Sequence, residues 1–473
     1  MYTRYNGRTR FMKKDIALIG FGVTGQAVAR YFLSRGGVVH LYDQRERGEL
    51  NPKALDEFKA LSGKLIIHGG NDTDIDFTNI STLVISPGVK PNHPAVQKAR
   101  DLKIPIKHDV MIFLEKWNER GPVVGVTGSN GKSTVVTLLR DVLKNCGRPV
   151  RLGGNIGNSP LDWLSEGVED GTYIVLEISN YMLDYFTEEH FVDVAVITNI
   201  TNNHLDRYDG SMKKYADVKY RLVKEGHTEV VIDMDDEGIQ KYISPKIKNN
   251  SVIPISFELP LDQVNQNGIY LDEKSNLVFY NKGKTEMLLE NPANRKIKGI
   301  HNLYNISLVF GALQMLSIDC DNIAESMREF NGLEHRIEFV SKKDGITFID
   351  DSKSTSPDAT IKAIDTLSNG KNIVLISGGD DKGMDYESLK DTFAESVKKI
   401  IILPGTAEDK LKDISGEIPV FIVSDMDQAV KESIKDLVEG DVVLLSPATS
   451  SVAHFGSFEK RGDAFKKAVS SNI

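Results

Sequence analysis

The stretch from Pro122 to Thr134, P-V-V-G-V-T-G-S-N-G-K-S-T, decides how the rest of the chain is read. Val123, Val124 and Val126 suit a buried strand. A glycine-rich turn follows, then Lys132, Ser133 and Thr134, then apolar residues at helical spacing (Val136, Leu138, Leu139, Val142, Leu143). A strand, a phosphate loop and a helix in that order aim backbone N–H groups and a helix N-terminus at an anion. Lys132 reaches the terminal phosphates, and the neighbouring hydroxyl is placed to hold Mg2+. The spacing G-x-x-x-x-G-K-[ST] is not met, because the residue five before Gly131 is Val126; the glycines stand at 125, 128 and 131. The competing reading is an ordinary glycine-rich turn.

The 473 residues suggest about three domains, and the alternation of apolar strand runs with helical stretches makes them α/β. A net charge of −9 supplies no basic field for nucleic acid or an anionic membrane, so an anionic substrate must be held by local cations. Apolar runs fall short of the roughly 20 residues that span a bilayer, so no membrane insertion is expected. Cys146 and Cys320 are far apart in the sequence. They fit a reducing compartment, with no disulfide framework and no zinc pattern, and both are expected to be buried and inert. The basic stretch Met1 to Lys14 leads into a strand rather than an apolar run with a cleavage site, and Met12 is a second candidate start. A cytoplasmic monomer is expected.

The first domain is expected over residues 1–118 and is Rossmann-like. Ile16 to Gly20 reads as a strand, Gly20 to Gly25 as G-x-G-x-x-G, and Asp43 as the acid closing a second strand. A phosphate or sugar is expected on this helix N-terminus, although the glycines also suit plain helix-to-strand packing. Strands at Leu65 to Ile67 and Leu83 to Ile85 follow, the latter ending in the proline-punctuated loop Ser86 to Pro94. The second domain, 119–333, is a central ATPase domain with a mainly parallel sheet. Tyr173 to Leu176 delivers Glu177, and Val194 to Ile200 delivers the segment containing His204. A carboxylate and a histidine leaving strand ends beside a phosphate loop can reach the same Mg2+-bound phosphates. Ile269 to Leu271 and Leu277 to Tyr280 predict a small antiparallel insert. The third domain, 334–473, is again Rossmann-like, with strands at Ile346 to Ile349, Ile373 to Ser377, Ile400 to Leu403, Val420 to Val423 and Val442 to Leu445. Polar clusters at 350–355, 378–382 and 446–451 suggest a binding surface on one sheet edge.

Taken together, these motifs resemble the Mur ligase family of peptidoglycan synthesis, from about Ile16 to Phe465 and in the family's order. The carriers are G-V-T-G-S-N-G-K-S-T (125–134), G-G-N-I-G (153–157), L-E-I-S (176–179), N-I-T-N-N-H-L-D-R-Y (199–208), K-Y-A-D-V-K-Y-R around Lys219, G-I-H-N-L-Y-N (299–305), His335-Arg336, D-S-K (351–353) and the segment Ser446 to Phe458. The sequence departs from the family pattern in I-S-N-Y-M-L after Glu177, in Asp233-Met-Asp-Asp, and in Asp350 before the D-S-K.

The resemblance implies an ATP-dependent amide ligase that adds D-glutamate to UDP-N-acetylmuramoyl-L-alanine through an acyl phosphate. Diamino-acid-adding members carry D-[DN]-P-[RN], L-alanine-adding members carry G-I-G-G-x-G-M, and folylpolyglutamate synthases lack a domain before the phosphate loop; none of these patterns is met here. The implied catalytic residues are Lys132, Glu177, His204 and a carbamylated Lys219. Two Mg2+ ions are implied on Ser133, Glu177, His204 and Lys219. ATP is assigned to Gly128, Ser129, Asn130, Gly131, Lys132, Ser133, Thr134, Asn302, Asn305, Arg336 and Asp351. The uridine substrate is assigned to Gly22, Val23, Thr24, Asp43, Gln44, Arg45, Ser86, Pro87, Gly88, Asn155 and Ser179, and D-glutamate to Lys353, Thr355, Lys382, Ser451 and Phe458. Two other classes compete. A nucleotide switch needs an N-K-x-D that is absent, and an NAD-linked dehydrogenase leaves the phosphate loop unexplained.

Overall fold

A computed structural model describes residues 15–86, 89–117, 119–201, 205–381 and 384–473. The chain parts into two compact units at Phe330/Asn331. The first unit holds two sheets. One has five parallel strands, Asp15–Ile19, Val38–Asp43, Lys64–Gly69, Ile80–Ile85 and Ile106–Lys107, in the order third, second, first, fourth, fifth. The order reverses between the first and fourth strands, and open α/β sheets take ligands in the crevice at such a reversal. The loops beginning at Gly20 and Ser86 leave these two carboxyl ends.

The second sheet has nine strands. Its phosphate-loop strand, Val123–Thr127, lies between Tyr173–Glu177 and Val194–Ile197, parallel to both. All five residues of Val123–Thr127 are buried, which is why it reads as an unbroken apolar run. The helix Lys132–Asn145 covers this sheet with Val135, Val136, Leu138, Leu139, Val142 and Leu143. The strand expected over Val194 to Ile200 stops at Ile197, because Thr198 and Asn199 turn to bond the phosphate loop. The insert is larger than the two strands expected. Gly268–Leu271 runs parallel to Val252–Ser256, and Leu277–Asn281 and Lys284–Leu289 extend the sheet antiparallel.

The expectation of two unpaired cysteines is wrong. Cys146, the C-cap of the helix Lys132–Asn145, and Cys320, which follows the helix Ile300–Met315, form a disulfide with Cα atoms 5.8 Å apart. Both are half-buried rather than buried. Nothing local signals a pair 174 residues apart; packing of the two helices side by side makes it.

The second unit is a six-stranded sheet whose central strands, Ile346–Asp350, Val442–Leu445, Ile373–Gly378 and Val397–Leu403, are parallel. An antiparallel edge strand, Glu338–Lys343, was not anticipated.

Candidate active site

The phosphate loop is held by the strand ends beside it. Ser129 N–H donates to Asn199 O (2.9 Å), Asn130 N–H to Asn199 Oδ1 (2.9 Å), and Thr198 Oγ1 to Asn130 O (2.5 Å). Gly128 has φ +145°, and a Cβ there would collide with Thr198 Oγ1. Gly131, left-handed at φ +82°, starts the helix and lies against Asn305 Oδ1. These two contacts, not the usual spacing, account for the glycines at 128 and 131. Lys132 Nζ donates to Gly128 O and Ser129 O, both at 2.9 Å, which lays the ammonium over the loop. Ser129 Oγ bridges the Thr201 backbone and Tyr215 OH.

At the mouth of the loop, Ser133 Oγ donates to Glu177 Oε2 (2.6 Å) and Asn155 Nδ2 to Glu177 Oε1 (2.7 Å). Glu177 is 2% exposed, so its carboxylate is fixed by these two donors. The hydroxyl and carboxylate are hard oxygen donors converging at one point, the set that suits Mg2+. Lys219, in the last turn of Met212–Tyr220, is buried beneath the loop, with Nζ 2.9 Å from Gly128 O and 4.6 Å from the Tyr215 ring centre. Burial, with Lys132 close by, holds its amine well below the usual lysine range. A neutral amine is a nucleophile, as addition to CO2 requires. His204 lies outside the described residues. Asn302 and Asn305 stand in the first turns of Ile300–Met315, joined by Asn305 Nδ2 to Asn302 Oδ1 (3.2 Å).

On the first sheet the glycines divide their roles. A Cβ at Gly25 would collide with Gly20 O, so Gly25 serves close helix-to-strand packing, while around Gly22 there is open space. Val23, at the helix N-terminus, is 69% exposed. Asp43 accepts Phe21 N–H (2.7 Å) and both arms of Arg45 (2.8 Å each), so it braces the loop and aims Arg45. Gln44 is exposed beside them, Thr24 is half-buried, and Ser86 Oγ donates to Gly20 O (3.3 Å). Pro87 and Gly88 lie outside the described residues. Ser179 caps the short helix Asn180–Leu183.

In the second unit the three polar loops are knitted together on adjacent strand ends. Asp380 and Ser450 exchange backbone bonds (3.1 and 3.0 Å), Ala448 N–H donates to Ser354 O, and Gly378 N–H to Pro447 O. Lys353 Nζ stands 5.9 Å from the Phe458 ring centre, and Ser451 is buried. Thr355 is half-buried on the same loop as Lys353. Asp351 accepts Ser446 Oγ (2.7 Å) and Ile337 N–H; burial pushes its carboxyl up to about 6, against the pull of Arg336. Lys382 lies outside the described residues.

Residues 14–108 match the Mur ligase MurD-like N-terminal domain, 126–313 the Mur ligase middle domain, and 335–449 the Mur ligase glutamate ligase domain. A UDP-N-acetylmuramoylalanine--D-glutamate ligase of Caldanaerobacter subterraneus subsp. tengcongensis is 34% identical over 97% of this chain and 98% of its own. The chain belongs to the Mur ligase family. The like-named ligase of Saccharophagus degradans is 32% identical over 96% of this chain and 97% of its own. Among solved structures, the fold is shared with the Thermotoga maritima UDP-N-acetylmuramate-alanine ligase MurC (TM-score 0.55, 18% identity, 97% and 100% covered). It is also shared with the MurF ligase of the same organism in complex with ADP (TM-score 0.55, 17% identity, 98% and 99% covered).

The departures from the family pattern acquire physical roles in this Mur ligase. Asp350 accepts His335 Nδ1 (2.8 Å) and Ser352 N–H, the acceptor half of what an asparagine offers. Asp233 accepts Asp235 N–H (2.9 Å), and burial beside Asp235 and Asp236 pushes its carboxyl up to about 7. Met182 is core, and the amide of Asn180 instead donates to Tyr208 OH (3.0 Å). Arg461 escaped notice in the sequence. Fully buried, it donates to Ser352 O and Thr449 O and so ties the D-S-K loop to the loop from Ser446. Its apolar neighbours at helical spacing mark only a helix face, and no local pattern marks an arginine turned inward.

Proposed function

We propose that this Mur ligase joins the amine of D-glutamate to the lactoyl-alanine carboxylate of UDP-N-acetylmuramoyl-L-alanine, with ATP as co-substrate, as a cytoplasmic monomer. The observation that carries the reading is the Ser133–Glu177 pair, 2.6 Å apart at the phosphate loop, in a chain matched over 97% of its length by a ligase of that name.

A carboxylate is a poor electrophile, so it must first become an acyl phosphate. A carboxylate and a phosphate about 4 Å apart repel by roughly 4 kcal/mol at an effective dielectric near 20. Lys132 lies over the loop where the terminal phosphates would sit and offsets that repulsion. Ser133 and Glu177 would hold one Mg2+, and His204 with a carbamate on Lys219 a second. When bound, the ions neutralise phosphate charge and orient the transferred group. Asn155 keeps Glu177 in place by donating to its second oxygen. The backbone N–H groups at Gly22 to Thr24 take the diphosphate, and Arg45, aimed by Asp43, faces the uracil or ribose. Lys353, Thr355, Ser451 and Phe458, together with Lys382, form the D-glutamate pocket.

ADP release, measured with each substrate alone and with both, tests the reading. Turnover is expected only when UDP-N-acetylmuramoyl-L-alanine and D-glutamate are both present, with a product heavier by one glutamyl residue. Turnover with another amino acid in place of D-glutamate would move the chain to another branch, and ADP release that ignores both substrates would overturn the ligase reading.

A further inference from the structure

The helix Ile300–Met315 begins against the phosphate loop. Asn305 lies on Gly131, and Asn302 Nδ2 donates back to Lys298 O (2.8 Å). The free N–H groups of a helix make its first end positive, so acids favour that end and bases the other. This helix has no acid in its first turn and no side-chain cap. Its N-cap is Gly299, at φ +89°, where a Cβ would collide with the His301 ring. Arg295 stands at this end instead. It is 7% exposed; one arm donates to Pro292 O (2.5 Å) and the other to Gly299 O (2.6 Å), which also accepts Leu303 N–H (3.3 Å) from the first helical turn. The guanidinium therefore spans the 3-10 turn Pro292–Asn294 and the helix start, and fixes the segment between them.

Other buried bases of the chain have compensation that Arg295 lacks. Lys399 donates to Glu432 O and Lys435 O (2.9 Å each) at the C-terminal end of Met426–Ser433, the favourable end for a cation, with Glu432 and Asp436 within electrostatic reach. Arg461 has Asp350 within reach. Arg295 has an Nε without a partner, and among the described residues no carboxylate offsets its burial. Two carbonyls return only part of the desolvation cost of a guanidinium, so an apolar side chain of similar length would leave the fold about as stable. What the guanidinium supplies, and an apolar residue would not, is a fixed Gly299 carbonyl and a positive charge at the helix end that meets the phosphate loop. A polyanion suits both.

We propose that Arg295 is a positioning residue for the nucleotide. By holding Gly299 O it sets the first turns of Ile300–Met315, and with them Asn302 and Asn305, against the phosphate loop, and its charge favours the polyphosphate. The inference rests on the assignment of ATP to Asn302 and Asn305 made above. Arg295 acts through these residues, which makes it a determinant of nucleotide affinity and not of affinity for D-glutamate or the uridine substrate.

The test uses the full chain and three readouts: calorimetric titration with ADP in excess Mg2+, the KM of each substrate, and the Tm. Arg295→Met removes both donors and keeps an apolar stem, whereas Arg295→Lys keeps the charge without the two-armed fork. Arg295→Met is expected to weaken ADP binding and raise the KM for ATP about tenfold or more, the usual loss with a hydrogen bond from a charged group. The KM values for D-glutamate and the uridine substrate should stay within about twofold and the Tm close to wild type, with Arg295→Lys falling between Arg295→Met and wild type in ADP affinity. Asn302→Ala is the control on the ATP assignment. If it weakens ADP binding while both Arg295 variants bind ADP as wild type does, the positioning role is overturned and the ATP assignment stands; wild-type ADP binding by all three variants overturns both. Equal losses for all three substrates, or a lowered Tm with unchanged ADP affinity, would confine Arg295 to holding the fold and overturn the proposal.

Discussion

Breaking the Cys146–Cys320 bond should destabilise the first unit by several kcal/mol without touching its chemistry. The bond links residues 174 apart within the unit that ends at Phe330. In the chain-entropy account, opening a loop of that length returns about 17 cal/mol/K to the unfolded chain, or about 5 kcal/mol at 25 °C. Measured values fall mostly at about 2–4 kcal/mol, which sets the lower bound. Unfolding entropy near 2.1 cal/mol/K per residue amounts to roughly 0.7 kcal/mol/K for a unit of this size, so the Tm should fall by about 3–7 °C. Serine at either half-buried position adds little of its own. Calorimetry of Cys146→Ser, Cys320→Ser and the double variant should show equal drops that match reduced wild type, with no further effect of reductant on the variants. The cysteines sit at the C-terminal ends of the helices whose first turns carry Lys132 and Asn302. With about 20 Å of helix between, the KM for ATP should stay within about twofold. Two titratable thiols in unreduced, unfolded wild type, or variants with an unchanged Tm, would refute the reasoning.

Three further outcomes are expected. Lys132→Ala should lower ligation about 10²-fold or more, because it removes a preorganised cation from the point where phosphate charge crowds; steady-state ADP release reads this, and near-normal turnover would remove Lys132 from that role. Lys219→Ala should abolish activity, with short-chain carboxylic acids restoring part of it by filling the vacated space and bicarbonate restoring none; an active, metal-loaded enzyme whose mass shows a free amine would contradict the carbamate. His108 concerns stability against pH. It is fully buried against the Tyr185 ring and faces the Ile85 and Tyr181 backbones without reaching hydrogen-bond geometry, and burial, helped by Arg207, pulls its pKa down to about 4. A histidine depressed from 6.5 costs stability as pH falls through that window, up to about 3 kcal/mol by pH 4. The neighbouring Asp109, raised to about 6 by burial, acts in the opposite sense below pH 6. His108→Gln should therefore gain about 2 kcal/mol on wild type between pH 7.5 and pH 5, read by urea unfolding at both pH values; an equal difference at the two pH values would show that His108 is not the titrating group.

Much of the fold was legible because parallel strands buried on both faces leave unbroken apolar runs, as at Val123–Thr127 and Ile373–Gly378. Element ends were less legible. The strand ending at Ile197 gives up its last residues to the phosphate loop, a competition between two backbone partners that local propensity does not record. Glu338–Lys343 was missed because an edge strand, open to water along one side, has no apolar run to announce it.

By itself the sequence determined the three α/β regions, the phosphate loop and the residue types at the strand ends, because each of these is written in local order and spacing. Only the tertiary structure decided which of them meet. It set Asn155 and Ser133 on the two oxygens of Glu177, put Lys219 under Gly128, and turned Arg461 inward to join two loops. It also closed a disulfide across 174 residues and lined up Asp15, His40 and His68 on three strands. The physical reason is the same in each case. Local sequence sets which backbone shape a segment adopts, whereas contacts between distant segments depend on how the elements pack and register.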